Sequence, residues 1–174
     1  MSQYAAMKFR HILLLILVAL TMACHTRQSD KTKDSSAPNL YSTDADDEAM
    51  NKVMETARIR MPRFDSAFDR RDKDMIFTIK VKFSTSAGEN EYIWLSDIWK
   101  RGGNYWGVMT DTPRLALQVK LGDSVEIKNK DIVDWMYGKD TVAHGGFTTR
   151  LILSRLSKEE REREVGDMPY KIED

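Results

Sequence analysis

The chain of 174 residues has a single cysteine, Cys24, so it can form neither an internal disulfide nor a thiolate zinc cluster. Histidine is nearly as scarce. His11 and His25 fall near the start, and His144 alone lies in sequence that reads as folded, which excludes a multi-histidine metal centre within one chain. Charge of one sign is missing too: 27 basic side chains face 27 acidic ones, so no overall field draws the chain to nucleic acid. The apolar run at the start, Ile12 to Leu20, has nine residues, against the ~20 that a membrane-spanning helix needs. There is no Gly-x-Ser-x-Gly elbow, and no glycine-rich phosphate cradle precedes a helix. What is present, 41% hydrophobic and 9% aromatic residues, suffices for one ordinary domain with a tail and excludes a wholly disordered chain.

Lys8 and Arg10 precede the apolar run, and the small residues Thr21 to Ala23 follow it. A positive start, a short apolar core and small residues before a cut make residues 1–23 a secretory signal. Thr21-Met22-Ala23-Cys24 resembles a bacterial lipoprotein lipobox, with Thr21 where that pattern usually has leucine. The resemblance implies lipidation of Cys24 and a membrane anchor, to which each buried methylene contributes ~0.8 kcal/mol. Two rival readings are an ordinary signal peptidase site that leaves Cys24 free, and a chance apolar start. The implied location is the bacterial cell envelope. His25 after the cysteine, rather than aspartate, leans by resemblance to proteobacterial sorting rules towards the outer membrane, facing the periplasm. Removal of the signal takes away Lys8, Arg10 and no acid, so 25 bases remain against 27 acids, a net charge of −2.

Residues 24–45 read as a flexible tether, because almost nothing in them can be buried. Residues 46–165 read as a single α+β domain and 166–174 as a C-terminal tail. Met50, Val53, Met54, Ala57 and Met61 recur at helical spacing, with acids at the N-terminal end, and Pro62 ends or kinks the helix. In Met75 to Ser84, Phe77, Ile79, Val81 and Phe83 alternate with Thr78, Lys80, Lys82 and Ser84, a half-buried strand with a wet face. A hairpin loop over 86–90 leads to a return strand, Glu91 to Trp99; further strands are expected at Tyr105–Thr110, Ser124–Lys128 and Ile132–Tyr137. Phe147 to Leu156 reads as a helix with a strand as its rival, and Ser157 with Glu160 forms a capping-box signature for a terminal helix. The expected fold is a small antiparallel sheet, with curling towards a barrel left open, between an N-terminal helix and a C-terminal helical segment.

Five segments occur in an order that resembles the YegJ-like family, a bacterial domain of unknown function. They are Glu91 to Leu95, Trp106 to Val108 with Thr112-Pro113, Leu121 to Val125, Ile132 to Tyr137, and Gly145 to Arg150. Asp134-Trp135-Met136-Tyr137 followed by Gly145-Gly146 and Arg150 is the most specific part. The resemblance spans the Met50 helix to Leu156 and carries no activity to any residue here.

All four tryptophans, Trp94, Trp99, Trp106 and Trp135, fall between residues 94 and 135. Core burial accounts for such residues in strands; the alternative is that Trp99 or Trp106, beside the polar Lys100 to Asn104 turn, line an exposed groove. The candidate binding residues are therefore Trp99, Trp106, Asp134, Trp135, His144 and Arg150. Asp134 and Arg150 are expected to pair or to hydrogen-bond locally, holding the last strand against the segment after Gly146, with independent solvation of each as the alternative. The expected function is a non-catalytic binding or structural lipoprotein of the envelope, with an envelope protein or glycan as partner and no cofactor, metal or nucleic acid. The rival is a small envelope hydrolase using Asp97, Asp134 and His144, for which no nucleophile is recognisable.

Overall fold

A computed structural model describes residues 47–85 and 88–173. The signal, Cys24, the tether up to residue 45, and Ser86 and Ala87 of the first hairpin loop lie outside these described residues. The first helix, α1 (Glu48–Ile59), starts on Asp47, whose carboxylate accepts the Met50 N–H at 3.0 Å. Its buried face is Met50, Met54 and Ala57. Pro62 does more than end this helix. The chain breaks at Arg60 and begins a second helix, α2 (Met61–Asp69), with the proline in its first turn, where its missing N–H costs nothing. That helix buries Phe64 and Phe68.

The strands are β1 (Ile76–Ser84), β2 (Asn90–Arg101), β3 (Asn104–Met109), β4 (Ser124–Ile127), β5 (Ile132–Lys139), β6 (Val142–Gly145) and β7 (Lys171–Glu173). Between β6 and β7 run α3 (Phe147–Arg155) and α4 (Lys158–Gly166). The order across the sheet is β4-β3-β2-β1-β5-β6-β7; it is an open sheet, not a closed barrel, and only the β6–β7 pair is parallel. This is an α+β fold with helices before and after the strands. Residues 147–155 are helical, and Ser157 and Glu160 complete the capping box of α4. Residues 171–173, within the expected tail, add the seventh strand beside β6, the strand that carries His144.

The two faces of the sheet differ. Phe77, Ile79, Leu95, Tyr105 and Trp135 pack with Phe64 and Phe68 of α2 in the main core. The opposite face carries Lys80, whose register partners are Trp94 on β2 and Asp134 on β5. That face was expected to be wet along β1, yet Lys80 is 7% exposed. Segments after β6 cover it: Thr149, Ile152, Leu153, Glu164 and Met168 surround a small cavity that Lys80 also lines. Gly145 is required where β6 turns into α3, because its φ is 94° and a Cβ would lie 2.2 Å from the Trp135 carbonyl oxygen. Among the described residues, no helix is long and apolar enough to cross a membrane.

Candidate functional site

Alternation along a regular β2 would put Trp94, Ser96, Ile98 and Lys100 on one face and leave Trp99 on the other. The pairing breaks that pattern. Ser96 faces Val108 and Trp99 faces Trp106, so three steps on β2 match two on β3. The inserted residue is a bulge at Asp97, whose φ of 46° is in the left-handed region. Beyond it, Trp99 shares the face of Trp94 and Trp106, while Ile98 turns into the core. Gly107 makes room for that turn, since a Cβ there would lie 2.8 Å from Ile98 Cδ1 and 2.9 Å from Leu95 Cβ. The outcome is a stacked pair: the Trp99 and Trp106 rings are 6.2 Å apart and 23° from parallel. Both are half-buried. Arg101 holds its guanidinium 5.9 Å from the Trp106 ring, and across the neighbouring strands Asn104 Nδ2 donates to Glu126 Oε1 at 2.7 Å. The platform is therefore apolar, with donors and acceptors at its rim.

Asp134 takes a different role. Its side chain is fully buried and accepts from the Trp135, Phe147 and Thr148 N–H groups at 2.8, 3.1 and 2.7 Å and from the Thr148 hydroxyl at 2.7 Å. Helix α3 is preceded by Gly146, which has no side chain to cap it; Asp134 supplies the missing carboxylate from the neighbouring strand. Burial pushes the Asp134 carboxyl up from its ordinary value, while the Thr148 hydrogen bonds and the Lys80 charge pull it back. Burial pushes the Lys80 ammonium down, opposed by Asp134. Lys80 Nζ donates to Thr148 Oγ1 at 3.4 Å and lies 5.5 Å from the Trp94 ring. The expected partner, Arg150, is not among those of Asp134; its guanidinium lies 5.0 Å from the Phe147 ring. Lysine on the supposedly wet face of β1 takes that place, because strand register brings it opposite Asp134.

The other candidates scatter. Trp135 is core, its Nε1 donating to the Ala57 carbonyl at 2.8 Å. His144 pairs with Tyr137 in the β5–β6 register, 5.2 Å between rings, and its Nδ1 lies 3.4 Å from Arg63 Nη2 of α2. Asp97 is exposed at the bulge, Asp134 is sealed, and His144 faces the opposite side of the sheet. These three do not meet. Only Trp99 and Trp106 are brought together as a surface.

A polar cleft of about 600 Å³ went unread in the sequence. Asp65 and Asp69 of α2 line it with Lys100, Tyr105 and Asn129. The Tyr105 hydroxyl donates to Asp65 at 2.5 Å, and Lys100 Nζ reaches Asp69 at 2.9 Å. Burial, reinforced by the Asp65 carboxylate, holds the Tyr105 phenol well above its ordinary value, so it stays a donor. The available signal was Asp65 and Asp69, spaced i,i+4 on a helix whose existence Pro62 concealed. Among the described residues, no three His, Cys, Asp or Glu side chains gather as metal ligands.

Residues 47–166 match the model of a family described as uncharacterised proteins conserved in bacteria, DUF2314. The chain belongs to the DUF2314 family. It is 30% identical over 149 residues to the uncharacterised protein YegJ of Escherichia coli (strain K12), covering 86% of this chain and 91% of that relative. It is 29% identical over 130 residues to the putative ankyrin repeat protein NMB1133/NMB1171 of Neisseria meningitidis serogroup B (strain ATCC BAA-335 / MC58). That match covers 70% of this chain and about half, 51%, of the relative. No solved structure matches. In this member of DUF2314 the matched region takes in the bulge, the tryptophan pair and the Asp134 cap, and stops before β7.

Proposed function

We propose that the chain is a non-catalytic lipoprotein of the bacterial cell envelope, anchored through Cys24 and facing the periplasm from the outer membrane, whose folded domain binds an envelope glycan on the Trp99–Trp106 platform. The anchoring half of this reading is supported by the signal-like start and the lone cysteine at its end. The binding half is carried by one observation: a residue in a strained backbone conformation re-aims Trp99 beside Trp106. Burying Trp99 in the core would have needed no such bulge. Sugar rings offer an apolar C–H face to an indole and hydroxyls to the side chains around it. Arg101 brings donors, Glu126 acceptors and Asn104 both. A few polar groups around an apolar surface are the ordinary composition of a small-ligand site.

The test is co-sedimentation of the full chain with purified peptidoglycan. Trp99→Ala and Trp106→Ala should each lower the bound fraction about tenfold or more, the range of a binding hot spot, while leaving the melting temperature within a few degrees. Deletion of Asp97 should preserve binding, because removing the inserted residue makes β2 regular and keeps Trp99 opposite Trp106. Unchanged binding in both alanine variants would sink the platform, and capture of an envelope protein instead of glycan would replace the partner.

A further inference from the structure

Six large hydrophobic side chains are exposed among the described residues, and three of them, Leu115, Leu117 and Leu121, lie in one loop between β3 and β4. Their exposures are 45, 77 and 59%. Such exposure matters only if the loop cannot fold its leucines inward, and this one cannot. The buried carboxylate of Glu91 accepts the Arg114, Leu115 and Ala116 N–H groups at 2.9, 2.9 and 2.7 Å. Ala116 is fully buried beneath the loop as a plug. Asp123 accepts the Lys120 N–H at 2.8 Å, and Gly122 N–H donates to the Met109 carbonyl at 2.8 Å, closing the two ends on each other. The result is a preformed loop holding three leucines in water, without the mobility that would let them hide.

We infer that the loop over residues 111–123 is a membrane-contact element that inserts Leu115, Leu117 and Leu121 into the interfacial layer of a lipid bilayer. Its chemistry separates lipid from protein as the occupant. Hot spots on protein partners favour Trp, Tyr and Arg and are poor in Leu, and this loop has no aromatic residue. Hydrocarbon has no such requirement; it is as apolar as leucine itself. Charge placement agrees. The cations Arg114 and Lys120 stand among the leucines and are exposed, their aliphatic stems able to follow the leucines while the charged ends stay at phosphate level. The acids Asp111 and Asp123 are held at the base by the Thr112 and Lys120 N–H groups. Neither Cys24 nor the tryptophan platform enters this inference.

A nitroxide reads the loop directly. The full chain carrying Cys24→Ser and Leu117→Cys is labelled at position 117 and mixed with vesicles of phosphatidylethanolamine and phosphatidylglycerol. Collisions with oxygen should rise and those with a water-soluble nickel chelate should fall about tenfold, as expected for a residue that leaves water for hydrocarbon. A label at Ser154→Cys, exposed on α3, should stay in water. Adding Leu115→Asp and Leu121→Asp should return the label at 117 to water; these side chains are exposed, so the fold survives the change. The apolar leader by itself can bring the chain to a vesicle but leaves position 117 wet, so a wet label overturns the inference whatever holds the chain there. Shielding from both reagents only when envelope proteins are added would overturn it in favour of a protein partner.

Discussion

Lys80 and Asp134 face each other across β1 and β5, and burial drives each towards its neutral form while the other holds it charged. The two are not equally dependent. Asp134 accepts four hydrogen bonds from backbone and hydroxyl donors and feels the lysine as a nearby charge, whereas Lys80 donates to Thr148 at 3.4 Å and faces the Trp94 ring. Asp134→Ala should therefore cost about 3–5 kcal/mol, the range for stranding one charge of a buried pair. It also uncaps α3. Lys80→Met should cost less, because methionine fills the same space and the carboxylate keeps its donors. Combining the two changes should cost less than the sum of the single losses, since no ammonium is then left without its anion. Urea unfolding at pH 7 measures all three; strict additivity would mean that the pair does not interact.

Between elements, the tie most open to measurement is the one that joins the start of α1 to the end of α3. Asp47 accepts the Met50 N–H and both terminal nitrogens of Arg155, with Nη2 at 2.8 Å from Oδ1. The Arg155 hydrogen bond first, and the Met50 N–H second, hold its carboxyl at about 2 against an ordinary 3.8. Between those values the unfolded chain binds more protons than the folded one, so stability falls as pH drops through this window. Asp47→Asn keeps a capping oxygen and removes the charge. Melting temperatures taken from pH 5 to pH 2 should fall more steeply for the parent than for the asparagine variant. Equal slopes would show that the pair contributes nothing, as many exposed pairs do.

On the scale of the whole chain, the DUF2314 family model matches residues 47–166, and the signal-like start and β7 lie outside that match. The proposed anchoring at Cys24 has a test separate from those of the domain. Cys24→Ser should abolish labelling by a fatty-acid probe and move the protein from the membrane pellet to the soluble fraction in cells of a Gram-negative bacterium. Absence of label on the parent chain would end the lipoprotein reading while leaving the domain and its platform untouched.

The sequence by itself determined the elements whose signals are local. The Met50–Met54–Ala57 stripe makes α1, the period of two makes β1, and Ser157 with Glu160 starts α4, because helix faces, strand faces and caps involve residues at most four apart. The ordered segments ending in Gly145 to Arg150 were also enough to place the family. Only the tertiary structure decided the rest. Pro62 could end a helix or start one, and the choice rests on whether Phe64 and Phe68 find a sheet to cover. Lys80 read as solvated because nothing near it in the chain reveals Asp134 and Thr148, 54 and 68 residues away. His144 fell into a strand because β5 lay waiting for it. Trp99 joined Trp106 through a bulge at Asp97, a position with no distinguishing mark in one sequence, since an extra residue in a strand is defined only against the strand that pairs with it.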